Sequence, residues 1–213
     1  MKVLNLYSGI GGNRKLWEDV EVTAVEIDPK IAAIYSDFFP DDKMVVGDAH
    51  QYLLDHCKEF DFIWSSPPCP THSRARKART DLPSLYPDMK LYQEVIFLEN
   101  HFDGLYCVEN VISYYDPLIR PQVLGRHYFW ANFHLRAHRF EVEIPIDTGD
   151  IETLQKISGF NLSNYNGFRK DTVLRNCVNP ELGKIILDCA RGNTQVPLTS
   201  FSITKRMEAG ESG

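Results

Sequence analysis

Two adjacent prolines, Pro67 and Pro68, set the strongest constraint on how this chain folds. They follow a short apolar run, Phe62-Ile63-Trp64, and neither can donate to a strand ladder or lead directly into a helix interior. A buried strand therefore stops here. The stretch Asp61 to Ser73 reads Asp-Phe-Ile-Trp-Ser-Ser-Pro-Pro-Cys-Pro-Thr-His-Ser, so the strand delivers Cys69 at its end. In open α/β sheets the crevice beyond the carboxyl ends of the strands holds the chemistry, which makes Cys69 a candidate nucleophile. The alternative is a buried structural cysteine, the commoner role of that residue type.

Earlier strand tips carry chemistry too. Lys2 to Tyr7 is an apolar strand running into Ser8-Gly9-Ile10-Gly11-Gly12, ahead of a predicted helix over residues 12–19 that contains Leu16 and Trp17. Glycines at such a turn let the backbone approach a ligand, and a helix start there offers free N–H groups to a nucleotide-like molecule. A glycine turn without a ligand is the other reading, because Gly9-Ile10-Gly11-Gly12 lacks the third-glycine spacing of the dinucleotide fingerprint. The second strand, Val22 to Ile27, carries Glu26 at its tip, where a ribose hydroxyl pair is usually bound, and the third, Met44 to Val46, leads through Gly47 to Asp48.

Strands are predicted near 2–7, 22–27, 43–46, 60–65, 104–109 and 127–133, with helices near 12–19, 29–38, 48–57 and 88–101. Asn179-Pro180 opens a further helix over 181–190, with a cap residue and then proline at the first position. This alternation predicts an α/β fold with a doubly wound, mostly parallel sheet.

Glycines, Glu26, Asp48 and Pro-Pro-Cys on successive tips give the chain a pattern that resembles the DNA cytosine-5 methyltransferases. Glu109-Asn110-Val111, after the strand Leu105 to Val108, is similar to that family's Glu-Asn-Val motif. Gln122 and Arg126 match the outer residues of its Gln-x-Arg-x-Arg motif, and Arg175-Asn176-Cys177-Val178 resembles its late Gly-Asn-Ser-Val segment, so the likeness runs over roughly residues 1 to 190. The resemblance implies a Rossmann-like class I fold and S-adenosylmethionine as cofactor, leaving as S-adenosylhomocysteine. It places the cofactor against Tyr7, Ser8, Gly9, Ile10, Gly11, Gly12, Glu26, Ile27, Asp48, Ala49, Pro68, Asn176 and Val178. Cys69 would attack a cytosine flipped out of double-stranded DNA, Glu109 would hold the ring at N3, and Arg126 would contact the base carbonyl and the glutamate.

The sequence also departs from the pattern. Leu124 stands in place of the middle arginine, Pro70 replaces the usual glutamine after the cysteine, and His72 replaces a usual phenylalanine. The stretch between Arg126 and Asn176 is much shorter than the family's target-recognition region. The chain is accordingly divided into a catalytic and cofactor-binding core (1–133), a short recognition insert (134–172), a final core segment (173–192) and a polar tail (193–213).

A net charge of −6 does not point to nucleic acid, but its distribution does. Ser73, Arg74, Arg76, Lys77 and Arg79 follow the cysteine directly and are candidates to contact phosphate, together with Arg136, Arg169 and Lys170; a solvated basic loop is the alternative. Base readers are expected from Arg136, His138, Arg139, Asn164, Asn166, Arg169 and Lys170, enough for a target of about two to four base pairs.

At 213 residues, 43% hydrophobic and 24% charged, the chain suits one soluble domain with a sizeable core. No apolar run is long enough to span a bilayer and Met1 leads straight into a strand, so a cytoplasmic protein of a prokaryotic or phage-encoded setting is expected, with no membrane partner. Cysteines at 57, 69, 107, 177 and 189 form no Cys-x-x-Cys pair, which fits reduced thiols and no metal. A zinc site on Cys69 and His72 would lack a second compact ligand pair. A monomer is expected. Three other functional readings are an RNA cytosine substrate, a catalytically silent DNA-binding subunit, and an amino-methyltransferase built on Ser66-Pro67-Pro68, against which Cys69 stands where that class has an aromatic.

Overall fold

The computed structural model describes residues 1–83, 85–136 and 150–192. Seven strands, β1 (Lys2–Leu6), β2 (Glu21–Glu26), β3 (Lys43–Val46), β4 (Phe62–Ser65), β5 (Leu105–Val111), β6 (Gln122–Leu124) and β7 (His127–Ala131), form one sheet in the order β3-β2-β1-β4-β5-β7-β6. The first five pair in parallel. From β1 the chain winds outward through β2 to β3, then returns to place β4 and β5 on the other side, so the topological switch point lies between β1 and β4.

The central strands are buried on both faces, which is why they read as near-continuous apolar runs. On one face Trp17, Phe62, Trp64, Phe129 and Phe133 pack with Leu182 and Ile186 of α7 (Pro180–Gly192). On the other, Leu4, Leu6, Ile63 and Tyr106 meet Leu53 of α2 (Ala49–His56) and Val95 and Leu98 of α4 (Lys90–His101). Each fully buried large side chain contributes about 1.5–3 kcal/mol. The short α3 spans Arg74–Lys77.

Strand tips become helix starts through side-chain caps. Asp28 caps α1 (Pro29–Phe38) by accepting from the Lys30 amide, and Asp48 caps α2 by accepting from the Gln51 amide at 3.1 Å. A third cluster forms where Leu154 of α5 (Ile151–Ser158), Phe160, Leu162 and Leu174 of α6 (Lys170–Arg175) pack on Ile10 and Ile34.

The structure departs from the sequence pattern at three places. Residues 12–19 form no helix: 12–16 are turns, with hydrogen bonds from Lys15 to Gly12 and from Trp17 to Arg14, and the chain then runs irregularly to Val20. Their side chains are drawn to separate partners: Asn13 pairs with buried Asn5, Arg14 chelates Asp42, and the Trp17 indole donates to the Gly183 carbonyl at 2.9 Å. The glycine turn is thus not backed by a helix terminus. Secondly, the strand near 127–133 runs antiparallel, as one arm of a hairpin with β6 that was not foreseen and that turns at Gly125 with φ +57°. The predicted strand near 22–27 stops at Glu26 and leaves Ile27 outside, 69% exposed.

Candidate active site

Ser65, the last residue of β4, is level with Val108 of β5, so Cys69 and Glu109 emerge from neighbouring parallel strands at the same edge of the sheet. The Pro-Pro-Cys segment is tied to β5 by the buried Asn110 amide, which donates to the Pro67 carbonyl at 2.9 Å. Beyond the cysteine the chain turns at once, with the His72 and Ser73 amides donating to the Cys69 carbonyl at 3.0 and 3.1 Å. Cys69 is half-buried, and burial first, then the Glu109 charge, push its thiol up to about 11. Glu109 is 7% exposed. The His127 Nε2 lies 3.7 Å from a carboxylate oxygen of Glu109, and Arg126 sits one residue earlier in the hairpin, half-buried. His127 opens β7 and looked like an ordinary strand residue in the sequence.

The raised thiol makes alkylation of Cys69 by iodoacetamide strongly pH-dependent. Its rate, followed by peptide mass spectrometry, is expected to rise about tenfold per pH unit until it levels near 11. Glu109→Gln removes the repelling charge and should move that plateau to lower pH, though not to the ordinary value, because burial is the larger cause.

A cleft of about 190 Å³ opens beside this edge. Tyr7, Glu26, Ile27, Asp48, Ala49 and Pro68 line it, together with Pro67, His72, Asp88, Lys90 and Leu91. Glu26 accepts from the Gly9 amide at 3.0 Å through one oxygen and from the Asp28 amide at 3.0 Å through the other, so it fixes the glycine turn to the β2 tip. Gly9 has φ +54° and open space where a side chain would lie. Gly11 and Gly12 do a different job. A Cβ on Gly11 would strike the Phe39 ring, and one on Gly12 would meet the Val178 carbonyl at 2.4 Å.

Ile10 lies in the third core cluster, 1% exposed, because α5 and α6 cover that side of the turn. Asn176 is the exposed C-cap of α6, and Val178 packs partly buried on the core. Among the described residues, two buried side-chain polar atoms, Ser8 Oγ and His72 Nε2, have no hydrogen-bond partner.

The cations after Cys69 are folded back on the protein. Ser73 caps α3, Arg74 donates to the Ser113 carbonyl at 2.9 Å, Arg76 to the Pro83 carbonyl at 2.6 Å, and the Lys77 ammonium lies 4.4 Å from the Tyr114 ring centre. Arg79 is bidentate on Asp81. Farther on, Arg169 pairs with Asp171 and Lys170 donates to the Ser163 carbonyl, while Arg136 is exposed. His138 and Arg139 lie outside the described residues. Gln122 is a staple, donating to the Phe133 carbonyl and accepting from the Leu135 amide, and Leu124 is buried at 5%, so the place of the motif's middle arginine faces the core.

Residues 1–100 match the C-5 cytosine-specific DNA methylase family. The likeness read from the strand-tip motifs therefore holds over that stretch, and Glu109, Arg126 and Asn176 lie beyond it. Among solved structures, the Entamoeba histolytica methyltransferase EhMeth is 12% identical, covers 90% of this chain and 98% of its own, and superposes with a TM-score of 0.55. It shares the Rossmann-like, class I methyltransferase fold. A mutant of DNMT2 from Spodoptera frugiperda is 27% identical over 52% of this chain and 35% of its own, with a TM-score of 0.35. No curated protein matches. Among the described residues no helix is long and apolar enough to cross a membrane, and no group of His, Cys, Asp and Glu is placed to hold a metal ion.

Proposed function

We propose that the chain transfers a methyl group from S-adenosylmethionine to carbon 5 of cytosine in double-stranded DNA, with Cys69 as nucleophile. The carrying observation is the placement of Cys69 and Glu109 on adjacent strand ends, close enough for the carboxylate to disfavour the thiolate, beside the cleft that begins at Pro67 and Pro68. Residues of the cleft fit the cofactor. Glu26 retains acceptor capacity for a ribose hydroxyl pair, exposed Ile27 offers apolar surface to a purine, and Gly9 leaves room for close approach. The buried Ser8 hydroxyl, without a partner among the described residues, adds a polar contact. The cofactor supplies an electrophilic methyl group.

Carbon 5 of cytosine is a poor nucleophile, and Cys69 changes that. Its sulfur forms a bond to carbon 6, the electron pair of the 5,6 double bond moves toward carbon 5 and N3, and Glu109, which must carry a proton for this step, donates it in a hydrogen bond to N3 and so stabilises the charge. After carbon 5 accepts the methyl group, its proton passes to water, the freed electron pair re-forms the 5,6 double bond, and the Cys69 sulfur leaves as the thiolate. A thiol held near 11 gives few thiolates at neutral pH, but each is intrinsically more nucleophilic than one of low pKa. The target base leaves the stack to reach this edge. Phosphates of the opened strand then replace the weak internal partners of Arg74, Arg76, Lys77 and Arg79.

Methyl transfer from labelled S-adenosylmethionine to duplex DNA, with 5-methylcytosine read by mass spectrometry, tests this reading. Product in duplex DNA supports it; product in RNA alone, or none in either, overturns it. For the cofactor, Glu26→Ala is expected to weaken S-adenosylhomocysteine binding by about 1.5–3 kcal/mol, as the ribose loses a charged acceptor and the Gly9 amide its anchor. Calorimetry checks this, and unchanged affinity would put the ribose elsewhere.

A further inference from the structure

Glu94 of α4 is fully buried, and the reaction above makes no use of it. One of its oxygens accepts from the Tyr7 hydroxyl at 2.6 Å and lies 3.0 Å from His50 Nδ1; the other accepts from the Ser65 hydroxyl at 2.6 Å. Tyr7 is the donor in its bond, because burial first and then the Glu94 charge keep the phenol protonated. Tyr7 follows β1, Ser65 ends β4 and His50 lies in α2. The carboxylate therefore sits beneath the switch point, separated by the Tyr7 side chain from the cleft that Tyr7 lines.

We propose that Glu94 is the charge-selective element of the cofactor cleft, favouring a cationic sulfonium ligand over the neutral thioether left after methyl transfer. The inference rests on the cofactor reading above. The two hydroxyls and the His50 ring nitrogen could all be satisfied by a neutral amide or by water at far smaller cost than burying a carboxylate, so hydrogen bonding alone gives no reason for a charge at this place. A charge withdrawn from water is poorly screened, and its field extends into the adjoining cleft. S-adenosylmethionine and S-adenosylhomocysteine differ there by one methyl group and one positive charge. Favouring the cation helps substrate replace product after each turnover.

Calorimetry on the full chain with each ligand, in wild type and in Glu94→Gln, tests the assignment. Glutamine keeps the shape and an acceptor but removes the charge. The ratio of S-adenosylmethionine to S-adenosylhomocysteine affinity is expected to fall about tenfold. A proportional loss for both ligands, or no loss, would overturn the proposal by reducing Glu94 to a packing residue. Wild type binding neither ligand would instead defeat the cofactor reading itself. Should the variant not fold, wild type is titrated with an analogue bearing a tertiary amine in place of the sulfonium, in buffers of different ionisation enthalpy. Binding is expected to take up a proton; release of one, or no exchange, would contradict the proposal.

Discussion

Cys69→Ser is expected to lower the methyl-transfer rate by about 10⁴-fold or more while leaving S-adenosylhomocysteine affinity within about twofold. The two halves of this result have different structural causes. A serine hydroxyl is a far weaker nucleophile toward carbon 6, and burial together with the Glu109 charge opposes ionisation at this position. The cleft wall is made by Pro67 and Pro68, which the substitution does not touch. The loop also keeps its shape, since Asn110 holds the Pro67 carbonyl and the turn after residue 69 uses main-chain groups only. Labelled methyl transfer and calorimetry on the same preparation separate the two effects. Turnover within about tenfold of wild type would end the covalent mechanism.

Gly183→Ala is expected to produce a large loss of stability. Gly183 lies in α7 against the backbone of the glycine-rich turn, and a Cβ there would sit 2.1 Å from the Asn13 carbonyl oxygen and 2.7 Å from two further backbone atoms. Neither side yields easily. Asn13 is fixed to Asn5 in β1, and the Gly183 carbonyl itself takes the Trp17 indole N–H. Alanine would ordinarily stabilise a helix interior by about 1 kcal/mol over glycine, whereas forcing an extra carbon into a packed interface costs about 1–3 kcal/mol and sometimes more. The clash wins because its partners are backbone. A net loss of about 2 kcal/mol lowers the melting temperature by about 4–8 °C for a chain of this size. A rise in melting temperature, measured by circular dichroism, would show that α7 is free to move off the turn.

The parts of this site that could be read in the sequence are those where one residue type has one physical consequence. Two prolines end β4, an apolar run marks each central strand, and Asn179-Pro180 opens α7. Glycine was less legible, because the letter does not say why it is there: Gly9 faces open space, while Gly11 and Gly12 make room for Phe39 and Val178. The helix expected over residues 12–19 failed because its polar side chains have tertiary partners far along the chain, in Asp42 and Gly183, that no local pattern reveals. Strand direction at β7 depended on the tight turn at Gly125, which joins it to β6, a strand of three residues too short to stand out. The basic run from Arg74 to Arg79 read as a phosphate surface, and its internal contacts to Ser113, Pro83 and Tyr114 depend on segments it meets only in three dimensions. Glu94 did leave a signal. It shares a helix face with Leu91, Val95 and Leu98, and an acid on an apolar stripe marks either a buried partner or a site.

The central claim, that Cys69 bonds to carbon 6 of cytosine, is tested most directly by trapping. Duplex DNA carrying 5-fluorocytosine is incubated with the protein and S-adenosylmethionine, and the product is digested and sequenced by mass spectrometry. Fluorine replaces the proton whose loss would release the sulfur, so a stable adduct is expected, attached at Cys69 and absent from Cys69→Ser. No adduct in the presence of bound cofactor, or an adduct through Cys57, Cys107, Cys177 or Cys189, would contradict the account.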